Sequence, residues 1–380
     1  AGEAWEKWLL DLVAISTVAD VGKLLGENRT LVKYGLIVMN KTKRIGLRKL
    51  MEIAGVARLN LPSGEVNFGA DTYSIGWQIA PRINAAGRMD HANAAFQLLI
   101  TEDAEEGAAL AAQLNKANQE RQKETDRVLK EAREQISKGL SFDDSKDSPL
   151  PFLLAAYSPD WLQGVIGLVA GRLMDEFQRP VIIGTQNKDG KIVASARSID
   201  QFNIVEAFSA SQEFLAKFGG HPRAAGFSVA DETQWTKLVR HLQALAREKL
   251  HDADVQPSLR IDADIMLEQI DWDLMGTLQN LEPFGEGNPR PRFLIHGLEV
   301  LGFDGVGNGG KHLRLRVTDE SRRPQKMIGF NCGEWCAKLT AGDLIDVVVE
   351  VGINEWNGNR EIELKIVDLR FHQTSPRSAR

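Results

Sequence analysis

The sequence predicts an α/β protein of several domains that ends in a small β-barrel. Strand-like and helix-like segments alternate between residues 151 and 256, a pattern typical of an α/β sheet covered by helices. Short strand-like runs separated by Gly and Asn turns then continue to about residue 372, as in a small barrel. A chain of 380 residues is also too long for one ordinary core.

The composition favours a soluble globular protein, with 43% hydrophobic and 26% charged residues. No run of eighteen apolar residues predicts a membrane span, and the N-terminus lacks the plan of a signal peptide. Two cysteines, Cys332 and Cys336, exclude a disulfide scaffold and favour the reducing cytoplasm. A structural role for this pair is favoured over zinc binding, which needs about four ligands. The net charge of -6 excludes general basicity, so DNA binding would require local basic clusters.

Residues 1–95 are interpreted as part of an α/β domain, because apolar runs such as residues 9–18 alternate with Gly-rich turns. The chain enters an amphipathic segment at once, as if it began in mid-domain. Residues 96–140 are predicted to form a long connecting helix. The stretch 92–136 contains no proline and repeats Ala and Leu at helical spacing. A helix that is polar over much of its surface usually bridges two domains.

Residues 141–256 form the predicted second α/β domain. Its strands are expected at residues 152–156, 181–184, 192–197 and 225–229, and its helices at 162–177, 204–217 and 233–250. Residues 257–372 then predict a five-stranded OB-fold barrel, before a short tail at 373–380. Its strands are expected at residues 293–301, 312–317, 325–330, 344–351 and 361–369.

Two segments offer site chemistry by residue type. Asp20 follows a strand-like run, and an acid at the carboxyl end of a buried strand could bind Mn²⁺ or Mg²⁺; the alternative is a helix cap. The segment GGHPRAAG (residues 219–226) combines glycines that admit a ligand closely with His221 and Arg223. His221 could act as donor, ligand or acid–base group and Arg223 as a phosphate fork, although a lone histidine after a helix is more often structural.

A third segment is locally basic. Lys311, Arg314 and Arg316, with basic residues 322, 323 and 326, face only two acids between residues 311 and 326. Such a strand and turn suit a phosphate backbone, and Trp356 and Phe330 could stack on bases. The alternative is a solvated hairpin with core aromatics.

The ordered set of motifs resembles the RecJ branch of the DHH phosphoesterase superfamily. LDLVAISTVADV (residues 10–21) with GENR (26–29) resembles the fourth DHH motif. Others look like RecJ segments, namely PRINAAGR (81–88) and LNKANQERQ (114–122). The DHHA1 domain is resembled by WLQGVIGLVAGR (161–172), SAR (195–197) and GGH (219–221), and the RecJ OB domain by LEPFGEGNPRPRF (281–293), GKHL (310–313) and NEWNG (354–358).

The resemblance implies a 5′-to-3′ exonuclease of single-stranded DNA that works with two Mn²⁺ or Mg²⁺ ions in DNA repair and recombination. It assigns a metal-ligand role to Asp20. It also places Ser195, Arg197, Gly219, Gly220 and His221 near the scissile strand, Arg82 and Arg88 at phosphates, and Gly164 at a helix N-terminus facing a phosphate. It further implies a monomer whose partners are single-stranded DNA, a single-strand-binding protein and a RecQ-type helicase.

Two departures from the family pattern bear on activity. The Asp-His-Asp and Asp-His-His motifs do not occur in the sequence; residues 251–254 and 90–91 mimic them only by letters. Many relatives carry His where this chain has Leu162. We therefore expect the missing motifs upstream of residue 1 and no nuclease activity from this chain alone. The alternatives are a DHH-type phosphodiesterase of short oligonucleotides or cyclic dinucleotides, and a non-catalytic DNA-binding protein.

Overall fold

The computed structural model describes residues 5–60, 66–89, 93–139, 150–251, 258–320, 323–356 and 359–373. The chain divides into two compact units. Unit 1 comprises Ala1–Lys41, Ala70–Thr72 and Leu259–Arg380, and unit 2 comprises Thr42–Gly69 and Tyr73–Ser258. Within the described ranges, no helix has both the length and the apolar character needed to cross a membrane.

Unit 1 begins with a 3₁₀ turn at Trp5–Leu9 and two packed helices, α1 (Leu10–Ala19) and α2 (Gly26–Asn40). The expectation of a strand-like run at residues 9–18 is therefore wrong. Its β-branched residues suggested a strand, but packing between helices overrides such a weak preference. Gly35 permits this packing, because a Cβ there would collide with the Leu10 carbonyl oxygen.

Helices dominate the first part of unit 2. Its elements are α3 (Ile45–Ile53), strands β1 (Arg58–Asn60) and β2 (Val66–Phe68), a π-helix at Ser74–Ile79, α4 (Ala80–Met89), α5 (Asn93–Ile100) and α6 (Ala104–Gly139). The single helix expected over residues 92–136 is interrupted at residues 101–103. There the Asp103 carboxylate accepts hydrogen bonds from the backbone N–H groups of Glu105 and Glu106, so it caps a new helix.

A five-stranded sheet forms the rest of unit 2, with strand order β3-β4-β5-β7-β6. Its elements are β3 (Leu154–Tyr157), α7 (Gln163–Phe177), β4 (Val181–Gln186), β5 (Ile192–Arg197), α8 (Ile204–Ser209), a 3₁₀ turn at Gln212–Phe214, β6 (Lys217–His221), β7 (Ala224–Val229) and α9 (Glu232–Leu250). Helices cover both faces, because Val181 and Ile183 pack with α6 and α7 whereas Ile182 packs with α8 and α9. The helix expected at residues 204–217 ends early, and the segment that contains Gly219 is a strand.

The remainder of unit 1 is a six-stranded sheet with order β10-β11-β13-β12-β9-β8. Its elements are β8 (Ala263–Asp264), a 3₁₀ turn at Leu267–Gln269, α10 (Trp272–Asn280), β9 (Arg292–Val306), a 3₁₀ turn at Asn308–Gly310, β10 (His312–Thr318), β11 (Gln325–Gly329), a 3₁₀ turn at Gly333–Ala337, β12 (Leu344–Trp356) and β13 (Asn359–Phe371). The first half of β9 pairs with β12 and its second half with β10, so the pairings return to the strand on which they began. All five strands expected here are present.

The two halves of unit 1 are joined through the loop that follows α10. The Leu24 backbone N–H donates to the Glu286 carbonyl at 2.7 Å. One guanidinium nitrogen of Arg29 donates to the carbonyls of Asn280 and Leu281, at 3.2 and 2.7 Å. Helices α1 and α2 therefore pack with a part of the chain that is distant in sequence.

Candidate functional site

Strand β5 places Ser195 and Arg197 on one face of the five-stranded sheet, because side chains alternate along a strand. The Arg197 guanidinium donates from Nη1 to the Ser195 hydroxyl at 3.1 Å and to the Ala196 carbonyl at 2.8 Å. Burial, and then the charge of Arg88, lower the pKa of Arg197. An arginine stays protonated in proteins, so this face holds a half-buried, fixed positive charge.

Helix α7 approaches this pair through glycines. A Cβ on Gly167 would lie only 3.0 Å from the Ser195 hydroxyl and 3.2 Å from Arg197 Nη2. A Cβ on Gly164, in the first turn of α7, would collide with the Arg88 carbonyl, and Arg88 Nη1 donates to the Gly164 carbonyl at 3.0 Å. The lack of side chains at both positions brings a helix N-terminus, which favours anions, beside two arginines.

Two further arginines border the same region. Burial lowers the pKa of Arg121 on α6, and so do the positive charges of Arg88 and Arg172; Asp126 opposes them. Nη2 of Arg121 donates to Asn118 at 2.9 Å, whereas its buried Nε has no hydrogen-bond partner among the described residues. Guanidinium groups that lie close together can bind a phosphate, because each offers paired N–H donors to its oxygens.

His221 and Gly219 extend the same face of the sheet. The register aligns Arg197 with Ala224 and then His221, and Ser195 with Gly226 and then Gly219. Since neighbouring strands lie about 4.8 Å apart, His221 is about 10 Å from Arg197 across a row of small residues. Gly219, His221 and Gly226 are exposed, so this part of the sheet face is open to an extended nucleic-acid strand.

The remaining two residues expected in this segment are Gly220, near the end of β6, and Arg223, in the turn that follows His221. Gly220 has a φ of 147° and a Cβ there would collide with Ala224 and Ala225, so the position requires glycine. Arg223 forms an exposed ion pair with Asp200 at 3.3 Å. Such a surface pair is weak, which leaves Arg223 able to contact a phosphate.

Arg82 lies on α4, six residues before Arg88, but has different partners. Its Nε donates to Asn115 Oδ1 at 3.0 Å, and its Nη1 donates to the Gln78 carbonyl. Burial lowers its pKa. The bond to Asn115 attaches α4 to α6, so Arg82 supports the arginine cluster formed by Arg88, Arg121, Arg172 and Arg197.

The basic strand expected in the OB region is β10, whose outward side chains include Arg314 and Arg316. Arg314 faces Asp304 of β9 and pairs with it at 3.1 Å. Arg316 lies over Gly302 and has no ion pair among the described residues. Lys311, just before β10, is exposed. The inward side chains are core residues, so the strand carries cations on one face only.

Of the two aromatic residues expected to stack on bases, Phe330 is 53% exposed and packs edge-on against His312. Its ring is therefore available to a ligand. The side chain of Trp356 lies outside the described residues, as do Arg322, residues 90–91 and most of residues 251–254.

Asp20 does not follow a strand; it is the exposed residue that ends helix α1. In the described part of the chain, no group of three His, Cys, Asp or Glu side chains that could share an ion includes it. Asp11, on the same helix, is only 1% exposed. This buried carboxylate was not predicted, although the apolar run around it in the sequence indicates burial.

The sequence analysis also missed Gly167, Arg121 and Arg172. Each lies within a quoted motif, but nothing in its residue type or spacing distinguished it from its neighbours. Their roles depend on how α6 and α7 pack on β5.

Two family models match the chain, the DHHA1 domain over residues 151–248 and the RecJ OB domain over residues 261–368. The single-stranded-DNA-specific exonuclease RecJ of Bacillus subtilis is 34% identical over 95% of this chain and 44% of that protein. The protein of the same name from Escherichia coli is 30% identical over 95% of this chain and 61% of that protein. A crystal structure of RecJ with Mn²⁺ from Thermus thermophilus superposes with a TM-score of 0.79 at 29% identity, covering 97% of this chain and 50% of that chain. The chain thus spans about half the length of the curated relatives it matches.

Proposed function

Because this chain belongs to the RecJ family, we propose that it serves in the digestion of single-stranded DNA from the 5′ end and that its own part is to hold the strand. The observation that carries this proposal is the arginine cluster around Ser195 and Gly167. A strand laid across β5, β7 and β6 would place a backbone phosphate at Arg197 and its neighbouring sugar–phosphate over Gly219 and His221. Within unit 1, the outward arginines of β10 would bind phosphates of single-stranded DNA in their own right.

The chemistry of the cluster fits a phosphodiester better than a base. Guanidinium groups offer paired N–H donors to phosphate oxygens, and the first-turn N–H groups of α7 add a positive dipole end. Contacts of this kind position a strand without reading its sequence. In an intact enzyme, His221 would be the acid–base group on this sheet face that lies nearest to the bound phosphate.

The described residues do not place other metal ligands around Asp20. Structures of relatives hold Mg²⁺ or Mn²⁺, and a pair of such ions would activate a water and stabilise the leaving oxygen. Asp20 alone does not form such a centre with other described residues. We therefore expect the chain by itself to bind DNA without hydrolysing it, the non-catalytic alternative.

Family membership supports the remaining expectations, namely a monomer in the cytoplasm whose partners are a single-strand-binding protein and a RecQ-type helicase. It also disfavours the phosphodiesterase alternative, since the RecJ OB domain is present.

Fluorescence anisotropy with labelled single-stranded and duplex DNA at two salt concentrations tests the proposal. Arg88→Ala and Arg197→Ala should each weaken single-strand binding about 10-fold or more, since a hydrogen bond to a charged group contributes about 1.5–3 kcal/mol. Each should also reduce the salt slope by about 0.7. Arg240→Ala is the matched control, because Arg240 is exposed on α9, against the opposite face of the same sheet.

Equal binding of single-stranded and duplex DNA, or equal losses in Arg240→Ala, would contradict the proposal. For hydrolysis, we expect no substantial Mn²⁺-dependent release of nucleotides from the purified chain. Release that Asp20→Ala abolishes would show that the described residues suffice for catalysis.

A further inference from the structure

A second cluster of chemically capable side chains lies in the OB region, independent of the DNA-binding proposal. Asp346 on β12 is 3% exposed, and two histidines face it, His296 from β9 and His372 just after β13. His372 Nδ1 lies 2.6 Å and His296 Nδ1 lies 3.4 Å from the same oxygen, Oδ1. In the described ranges, these are the only three His, Cys, Asp or Glu side chains whose ligand atoms all lie close enough to share a metal ion.

The backbone brings these three side chains together at an irregularity in the sheet. The pairing of β12 with β9 shifts register between Ile345 and Val347, directly at Asp346. On the facing strand Gly297 has a φ of 62°, a left-handed conformation that favours glycine. Bulges of this kind redirect a side chain and are common beside functional sites. His372, just after β13, is held by its backbone N–H, which donates to the Leu344 carbonyl at 2.8 Å.

The two carboxylate oxygens of Asp346 have different partners. Oδ2 accepts from Arg370 Nε at 3.1 Å, whereas Oδ1 accepts from the Gly297 backbone N–H at 3.1 Å and faces both imidazoles. One carboxylate oxygen is thus held by Arg370, and the other is directed to the two ring nitrogens.

We propose that His296, Asp346 and His372 bind a divalent transition-metal cation of the zinc class. Two imidazole nitrogens with one carboxylate oxygen suit such ions, whereas Mg²⁺ prefers oxygen ligands alone. A tetrahedral zinc with bonds near 2.0–2.1 Å separates its ligand atoms by about 3.3 Å. His296 already has that separation from Oδ1, and His372 would have to withdraw by less than about 1 Å.

The surroundings of the cluster fit a site with three protein ligands and one open position. Nε2 of His296 lies 3.8 Å from the Asp264 carboxylate, which can orient the ring as metal-bound histidines require. A groove of about 200 Å³ lined by Ile261, Leu294 and Val348 reaches Asp346. The charge of Arg370 opposes a cation, but its side chain is 65% exposed and water screens it.

The test is zinc titration of the full purified chain after chelator stripping, in excess Mg²⁺ so that oxygen-only sites are filled. A chromophoric zinc chelator serves as competitor. We expect one zinc equivalent per chain, with affinity reduced at least about 10-fold in His296→Ala and in His372→Ala, because even partners outside the ligand set cost 10–100-fold. His312→Ala is the matched control, since His312 lies in the same sheet without a carboxylate partner among the described residues.

A second readout keeps the proposal open to refutation if His372→Ala fails to fold. His296 is 47% exposed, so its replacement should leave the fold intact, and zinc should raise the melting temperature of the parent chain but not of His296→Ala. Failure to bind zinc, or equal binding by His296→Ala and the parent chain, would show that the cluster is a hydrogen-bond network only. Neither result would bear on single-stranded DNA binding by the arginine cluster.

Discussion

Gly167→Ala should separate DNA binding from stability. The added methyl group would lie 3.0 Å from the Ser195 hydroxyl and 3.2 Å from Arg197 Nη2, tighter than ordinary contact. Both neighbours are ends of side chains, which can move aside at little cost to the fold. Alanine is also the better helix former by about 1 kcal/mol. The free energy of unfolding should therefore stay level or rise by up to about 1 kcal/mol.

The same methyl group should weaken DNA binding, because Arg197 can no longer hold the position from which it would reach a phosphate. The loss of one charge-assisted hydrogen bond is worth about 1.5–3 kcal/mol, or roughly a 10- to 100-fold rise in the Kd for single-stranded DNA. Urea unfolding measures the first quantity and fluorescence anisotropy the second.

Gly171→Ala is the matched control for this experiment. Gly171 lies on the same helix one turn later, and a Cβ there meets nothing within 4 Å. It should show the gain in stability with unchanged DNA binding. If Gly167→Ala binds DNA like the parent chain, or if both variants lose affinity equally, the phosphate does not lie between α7 and β5.

Two other predictions follow from the contacts described. Arg316→Ala should weaken single-strand binding more than Arg314→Ala, because Arg314 is already paired with Asp304. Each loss of affinity should be the same for all DNA sequences and should reduce the salt slope by about 0.7. A larger effect of Arg314→Ala in fluorescence anisotropy would contradict this order. Trp161→Phe should lower the free energy of unfolding by about 1 kcal/mol, because it removes the 2.7 Å bond from the buried indole N–H to Glu131, which is 40% exposed. That bond lowers the pKa of Glu131. The difference in the free energy of unfolding between Trp161→Phe and the parent chain should therefore be full at neutral pH and shrink as the pH falls below about 4.3. If urea unfolding gives the same difference at every pH, the bond is not its cause.

The alternating pattern of residues 151–256 was sufficient to predict four of the five strands of this sheet but not β6, because apolar β4 and amphipathic α7 have distinct periodicities. It was insufficient where local preference and packing disagree. The run at residues 9–18 contains enough Val, Ile and Thr to suggest a strand, yet it folds as α1 against Gly35. The expected strand before Asp20 was wrong for the same reason.

Some of the site residues could likewise be predicted from the sequence, and others could not. Ser195 and Arg197 are two residues apart, so their shared face could be expected from the strand alone. The convergence of Arg121 and Arg172 depends on the packing of α6 and α7, which has no local signature. The cluster at Asp346 could not be predicted from the sequence either, because the register shift that brings His296 and His372 to it is not indicated by the residue pattern.

The joint between α2 and the loop after α10 has a consequence for how the chain is made. Arg29 donates to carbonyls 251 and 252 residues later. At about 5–20 residues per second, a ribosome needs roughly 10–50 s to deliver those partners. During this time helices α1 and α2 lack their contacts with the loop after α10, whereas unit 2, whose contacts are nearer in sequence, can already fold. A substitution that delays folding of the OB region would therefore also prolong the exposure of Leu24, which is buried in the finished protein, to chaperones and proteases.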